Sequence, residues 1–514
     1  MTVTHGPRAD AEDAPTAGRT PVVIRPDARR VVARLFLPGQ EGAVSGTSRA
    51  AGVIERCLAL SERQTRELLA DLVADHGTRH RSFDAVLDAH FAAVAHRIDG
   101  PGHLTTARRH LIGAYFTQEY ALEAAALFNP SVVVHPVQDG APGDLRLVMS
   151  ARAVGEGHLS SLVFRTGVLR PPGAAGATGP TVTMDDVSPF AATGTPRTTL
   201  IDGERLAHEA TLAGVDAESL HFVLEGMPAR FTTQELDLAL QRLTVQGLTR
   251  IHSHKTAERL RALTEGWYEI EFPARTELSE RVLMPQVAVE SHGIEDARFV
   301  RFTQDDGTST YLATYTAFDG KGIQVRRLET PDFRLFRSST LTGLAATNKG
   351  MALFPRRVAG RYVALSRWDR ENTSVAFSDD GHHWPEAVTL QAPVHPWELI
   401  QLGNCGSPIE TPAGWLVLTH GVGPLRRYAI GALLLDLDDP TRVIGRLSRP
   451  LLSPADDERD GYVPNVVYTC GALLHGRTLL LPYGCSDSQI RITLLDLPAV
   501  LDRLVPTASE GHHP

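Results

Sequence analysis

The stretch GWLVLTHGVGPLRRYAIGALLLDLDDP, Gly414 to Pro440, holds two apolar runs, WLVLTHGV and AIGALLLDLDD, separated by a short polar turn. A glycine opens it and an Asp-Asp-Pro closes it, which is the pattern of a β-hairpin. The pattern repeats. A turn glycine ahead of an apolar strand occurs five times: Gly143 before RLVMSARA, Gly307 before YLATYTAFD, Gly360 before YVALSRWD, Gly414, and Gly476 before LLLPYGCSD. Each first strand has a second: LSSLVFRTGV, IQVRRLE, TSVAFSDDGHHW, AIGALLLDLDD and QIRITLLDL. The last four glycines are 53, 54 and 62 residues apart. One such unit cannot bury both of its faces alone, so tandem units of this size predict a mainly β fold, a five-bladed β-propeller.

The first spacing, 164 residues, is too long for one blade. The excess begins with the loop-like PPGAAGATGP and continues as a helical insertion at about 203–266. Thr232 and Glu235 form a capping box ahead of ELDLALQRL there. A rim loop of this size is a natural place for an active-site wall. Upstream, apolar residues recur at helical spacing: Val53, Ile54, Cys57 and Leu58; then Thr65, Leu68, Leu69 and Leu72; then Phe83, Val86, Leu87, Phe91 and Val94. His110 to Phe128 reads as one more, buried, helix. The expected organisation is a flexible tail at 1–25, a helical N-terminal module at 26–128, a propeller at 129–505 and a flexible tail at 506–514.

Composition narrows the function classes. The chain has 514 residues, 42% of them apolar, and a net charge of −9. Mild acidity argues against a nucleic-acid partner. No apolar run nears the ~18 residues that span a bilayer, and the N-terminus has no secretory pattern. Four cysteines without a CxxC pair form no disulfide or zinc framework. A reduced, cytoplasmic protein is expected, with no membrane contact and no metal; His252 and His254 have no matched carboxylates. The apolar helical appendage suits a homo-oligomer.

The repeat places polar strand ends at one height: Arg152, Tyr315, Arg367, His420 and Tyr483, with Asp369, Glu371 and Asp487 close behind. A mouth ringed with Arg, His, carboxylates and aromatic rings suits a sugar. In GIEDARF, Gly293 to Phe299, two carboxylates adjoin Arg298. Cleavage of a glycosidic bond needs a protonated carboxyl at the leaving oxygen, and an inverting hydrolase needs a second carboxylate to activate water. A phosphate nucleophile would need a basic cluster instead.

NCGSPIETPAGWLVLTHGVGPLRRYAIGALLLDLDDP (Asn404 to Pro440), GYVPNVVYTCG (Gly461 to Gly471) and GIEDARF together resemble glycoside hydrolase family 130, the five-bladed β-mannoside phosphorylases and β-1,2-mannosidases. The resemblance covers roughly 129–497 outside the insertion. It implies that Asp296 is the catalytic acid, with Ala297 where the family has Pro. It further implies that Asn129, Arg152 and Asp487 hold mannose. Of the family's phosphate ligands Arg367 and His420 match two, while Lys349 and Gln401 fall near the other two positions.

With that cradle only half cationic, and with Glu371 and Glu410 as added carboxylates, the expected reaction is hydrolysis of a β-mannosidic, β-1,2 linkage with inversion. Glu371 or Glu410 would activate water, and Arg298 and Tyr315 would contact substrate. No organic cofactor is implied. Two alternatives stand beside it. One is phosphorolysis with inorganic phosphate as co-substrate, releasing mannose 1-phosphate. The other is a sugar-binding propeller without turnover.

Overall fold

The computed structural model describes residues 18–38, 48–174, 177–246 and 253–507. The tail at 1–17, the tail at 508–514 and His252 lie outside the described residues.

The chain is mainly β, and all five expected hairpins form. Each becomes the centre of a four-stranded antiparallel module. The first is Ala126–Val134, Leu145–Val154, Ser160–Arg170 and Thr181–Met184. The second runs Gly293–Thr303, Ser309–Phe318, Ile323–Thr330 and Leu335–Thr340. The third runs Ala352–Leu353, Tyr362–Ser366, Thr373–Ser378 and Glu386–Gln391. The fourth is Gln401–Asn404, Gly414–Val422, Tyr428–Leu435 and Val443–Arg446. The fifth takes Val467–Tyr468, Thr478–Cys485 and Gln489–Asp496, then borrows Gly18–Ile24 as its outer strand. The five repeat glycines all adopt positive φ, from 58° at Gly476 to 144° at Gly414, which explains why glycine marks every unit.

Apolar faces are buried between consecutive modules. Phe164 of the first packs on Phe299, Phe333 and Phe336 of the second. Phe302 stacks on Tyr362 of the third at 5.4 Å, and Phe354 meets Trp415 of the fourth edge-on at 5.0 Å. Leu418 packs with Leu481 and Tyr483 of the fifth. Ile490 and Ile492 return to Leu147 and Met149 of the first, so the packing order closes on itself. Among the described residues, backbone hydrogen bonds do not join the modules into one closed sheet; only the first two merge, through Gly293 beside Ser160.

Three sequence expectations change. The predicted flexible N-terminal tail contains a strand, because Gly18–Ile24 completes the edge of the fifth module. The expected helix from His110 to Phe128 stops at Tyr115, and Thr117–Ala121 pairs with Val31–Leu35. The stretch TQEYA fully buries only Tyr120, and its pairing with a strand far back in the chain leaves no local periodic signal. In the C-terminal tail, Val505–Pro506 is a short strand on Val443–Arg446.

The helices Arg49–Leu58, Phe83–Val94 and Thr106–Tyr115 share a core around Ile54, Phe91, Val94 and Ile112, and Glu62–His76 is tied to Thr106–Tyr115 by the Arg108–Glu62 ion pair. The N-terminal segment is fastened to the first module by Glu123, buried between Arg30 and Arg165. Insertion helices Gly203–Leu212, Ala217–Leu224, Thr233–Gln246 and Ser253–Thr264 have their own core, including Leu206, Phe231, Leu240 and Leu260. The predicted capping box is present: Glu235 N–H donates to Thr232 Oγ1 at 3.2 Å, and Thr232 N–H donates to the Glu235 carboxylate at 2.7 Å. Thr232→Ala is expected to lower the local stability of that helix by about 1 kcal/mol. Faster amide exchange confined to 233–246 would be the readout.

Candidate active site

A cavity of about 380 Å³ opens where strand ends from all five modules converge, within the roughly 300–1,000 Å³ usual for small-molecule sites. Nine of the residues singled out in the sequence line it: Asn129, Arg152, Asp296, Arg298, Lys349, Arg367, Gln401, His420 and Asp487. No described residue of the helical insertion does. A larger cleft of about 600 Å³ on the insertion is lined by Met227, Leu238 and Val245 with only Glu235 and Arg242 as charges. That cleft has no converging set of reactive groups.

Local backbone irregularity aims the key side chains. The pairing register breaks between Phe128 and Ser131 and again between Glu295 and Arg298. These bulges hold Asn129 and Asp296 in the left-handed region, with φ of 50° and 53°. Asp487, Arg370 and Arg426 are also left-handed, at 49°, 72° and 55°. Such a conformation costs on the order of 1–3 kcal/mol per non-glycine residue and clusters at working sites. Asn129 and Asp296 occupy the same place in two neighbouring modules. As a result the Asn129 amide donates to Asp296 Oδ1 at 2.6 Å across the cavity floor.

Asp296 is 8% exposed. Burial works to raise its proton affinity, yet Arg152, Lys349, the Asn129 amide and Arg298 outweigh it and hold the carboxyl below its ordinary range. Arg152 sits 3.7 Å from Asp296 and 2.5 Å from Glu295. Burial, and then the charge of Asp296, push Glu295 upward against the pull of Arg152. Of this adjacent pair, Asp296 is the one held below its ordinary range and Glu295 the one raised above it.

The far wall is cationic and carries no acid. Arg298 donates to Tyr468 Oη at 2.6 Å and to the carbonyls of Asn404 and Cys405. Arg367, 6% exposed, reaches only the Arg370 carbonyl at 3.2 Å, and its Nε is buried without a partner. His420 is stacked on Tyr428 and set edge-on to Tyr468 at 4.9 Å, with Nδ1 buried and unpartnered. Burial, reinforced by Arg367 and Arg298, holds its imidazole well below 6.5, so the ring is neutral at pH 7. Gly403 makes room for both: a Cβ there would lie 2.2 Å from Arg367 Cδ and 2.7 Å from His420 Cε1.

Asp487 behaves differently from Asp296. Its carboxyl is pushed up to about 6, first by burial and then by the charge of Asp296, against Arg152, Arg426 and Lys349. The folded chain therefore holds this proton more tightly than the unfolded one. The stability so gained is full below the ordinary value of 3.8 and is lost as pH rises through about 6. Asp487→Asn is expected to flatten the fall of Tm between about pH 4 and about pH 7. Parallel Tm–pH curves for variant and parent would contradict this.

Three sequence assignments are corrected. Glu410, expected to activate water, is exposed and forms a two-pronged ion pair with Arg356 at 2.6 and 2.9 Å. It pairs in register with Trp415, whereas His420 lies five residues further along that strand, about 17 Å away at strand rise. Glu371 is exposed outside the lining; the turn Asp369–Asn372 presents Arg370 to the cavity in its place. Tyr315 is buried in a separate network, donating to Glu290 at 2.5 Å, bonded to Ser338 at 2.7 Å and accepting from Arg326 at 2.9 Å. No base candidate among those three reaches the cavity.

Sequence reasoning did not single out Phe128, Asn348, Arg370, Arg426, Tyr462 and Tyr468 as site residues; all six line the cavity. Arg370 and Arg426 stand in turns that follow the predicted strand ends, a position the repeat itself identifies. Cys405 and Cys485 are buried free thiols. Burial pushes both up to about 12, which withholds the thiolate.

A sugar-sized cavity with one buried, well-oriented carboxyl and an acid-free cationic wall defines an enzyme that acts on glycosides. Residues 244–505 match the family model of glycoside hydrolase family 130, described as beta-1,4-mannooligosaccharide phosphorylase. The 1,2-beta-oligomannan phosphorylase of Thermoanaerobacter sp. (strain X514) is 33% identical over 224 residues, 43% of this chain and 74% of its own length. The beta-1,4-mannooligosaccharide phosphorylase of Ruminococcus albus is 33% identical over 183 residues, 33% of this chain and 54% of its own. The solved beta-1,2-mannobiose phosphorylase of Listeria innocua, in complex with beta-1,2-mannobiose, aligns with 75% of this chain and 93% of its own at a TM-score of 0.44 and 22% identity. The chain belongs to glycoside hydrolase family 130.

Proposed function

We propose that the chain is an inverting β-mannoside phosphorylase, using inorganic phosphate to release α-mannose 1-phosphate. The observation that carries this reading is the buried wall of Arg298, Arg367 and His420, with exposed Lys349 beside it, which holds cationic and unpartnered polar groups and no carboxylate. A buried guanidinium without a counter-charge is costly, and an anion placed there offsets the cost. The alternative of hydrolysis loses its support, since Glu371 and Glu410 lie outside the cavity. The names of the relatives also favour phosphorolysis. β-1,2-Linked mannosides are the favoured substrates, as the 1,2-beta-oligomannan enzyme matches over 74% of its length.

In this scheme residues 129–505 form a five-bladed propeller, a reading supported by five modules whose packing returns from the fifth to the first. The N-terminal helices and the insertion are appendages to it. Asn129, Arg152 and Asp487 hold the mannosyl unit. Phosphate sits on Arg367 and His420 with Lys349 and Gln401, and its oxygen attacks the anomeric carbon as the glycosidic C–O bond breaks. Asp296 delivers a proton to the leaving oxygen, directly or through a sugar hydroxyl. It is reprotonated by the proton that hydrogen phosphate loses on becoming an ester. The bound phosphate charge also opposes Arg152 and Lys349, so it raises the proton affinity of Asp296 when the acid is needed.

Turnover of β-1,2-mannobiose should require inorganic phosphate and yield mannose 1-phosphate with one free mannose. Equal rates with and without phosphate would overturn the reading.

A further inference from the structure

Six cationic side chains line the cavity, Arg152, Arg298, Lys349, Arg367, Arg370 and Arg426, against the carboxylates of Asp296 and Asp487. Arg152 is also paired with Glu295 at 2.5 Å, yet one phosphate dianion still leaves the set cationic, the more so when Asp296 carries its proton. Lys349, Arg370 and Arg426 are exposed, and none of the three has an ion-pair partner within 4 Å among the described residues. Arg370 and Arg426 stand apart from Lys349 by their place in the fold. They are equivalent by the repeat. Each sits in the turn between the second and third strands of its module, Tyr362–Ser366 to Thr373–Ser378 and Gly414–Val422 to Tyr428–Leu435. Each has the left-handed backbone of that turn, and the two modules are packed neighbours around Phe354 and Trp415. In the fifth module the same turn carries Asp487. A position that elsewhere in the ring serves the mannosyl unit thus holds a guanidinium in two adjacent modules. Tyr462, 53% exposed and bonded to His158 at 3.2 Å, adds an aromatic face to the same mouth.

We propose that Arg370 and Arg426 form a second anion site at the mouth, which selects β-mannosides whose leaving sugar carries a phosphate or carboxylate group. The inference rests on the reading that the deeper wall holds inorganic phosphate and that the leaving sugar lies toward solvent. Guanidinium forks match both substituents, and paired forks fix their orientation. Screening should weaken the preference, because both groups are solvent-exposed.

The test uses the intact chain in the synthetic direction, with mannose 1-phosphate as donor and phosphate release as the signal. Mannose 6-phosphate and glucuronate are compared with mannose and glucose as acceptors. At least one anionic acceptor should exceed its neutral parent roughly tenfold in kcat/KM, and the better of the two identifies the substituent. The double variant Arg370→Gln, Arg426→Gln should collapse that ratio toward unity. A parent enzyme that uses neutral and anionic acceptors alike, or a variant that keeps the preference, overturns the second site. Calorimetric binding of the same sugars, with inorganic phosphate saturating the deeper wall, separates the two claims. If no acceptor turns over while anionic sugars still bind more tightly through Arg370 and Arg426, phosphorolysis fails and the second site stands. If binding shows no such preference, the second site fails regardless of turnover.

Discussion

Asp296→Asn is expected to lower phosphate-dependent turnover by roughly 10²–10⁴-fold while leaving phosphate affinity equal or tighter. The side chain is buried, bulged into the cavity and fixed at 2.6 Å by the Asn129 amide. An asparagine fills the same space but has no proton to give to the leaving oxygen. It also removes a negative charge that acts on Arg152 and Lys349, so an incoming phosphate meets less repulsion. The paired measurement is steady-state turnover and phosphate binding on the same variant. Activity within tenfold of the parent would remove Asp296 from the acid role, whatever happened to affinity.

The second large effect belongs to Arg367. Replacing it with methionine keeps bulk beside Gly403 and deletes the charge. Loss of charge-assisted hydrogen bonds worth about 1.5–3 kcal/mol should weaken phosphate binding by about 10- to 150-fold. The ligand-free protein should respond in the opposite direction. Arg367 is buried with an unpartnered Nε beside Arg298, and a buried charge without a partner destabilises the fold. Arg367→Met is therefore expected to raise the Tm of the empty protein as it raises the KM for phosphate. A merely structural arginine would lose stability on substitution. A fall in Tm with unchanged phosphate affinity would assign Arg367 to the scaffold.

Much of this was written in the glycines. Their positive φ explains their place in each unit, and the alternation around them placed the five hairpins before any coordinates. Arg152, Arg367, His420 and Asp487 were found as strand-end residues because the repeat puts equivalent positions at one height. Tyr315 failed for the same reason that others succeeded. It also sits on a strand of the repeat, yet Glu290, Ser338 and Arg326 claim its hydroxyl between modules, and long-range pairing of that kind leaves no local signal. Glu410 was misplaced by closeness in sequence to His420. The strand Ile409–Thr411 pairs with the start of Gly414–Val422, at the end opposite His420, and register is fixed by tertiary pairing. The expectation of hydrolysis followed from counting those carboxylates into a site that excludes them. His110 to Phe128 misled because its two ends, in the helix Thr106–Tyr115 and the strand Ala126–Val134, are buried, while Thr117–Ala121 between them pairs with a distant strand and fully buries only Tyr120.

The source of the oxygen on the anomeric carbon of the released mannose unit separates attack by phosphate from attack by water. Turnover of β-1,2-mannobiose with phosphate in ¹⁸O-enriched water should yield mannose 1-phosphate free of label in its anomeric oxygen. Mannose released with ¹⁸O at that carbon, in step with cleavage, would contradict phosphate as the nucleophile.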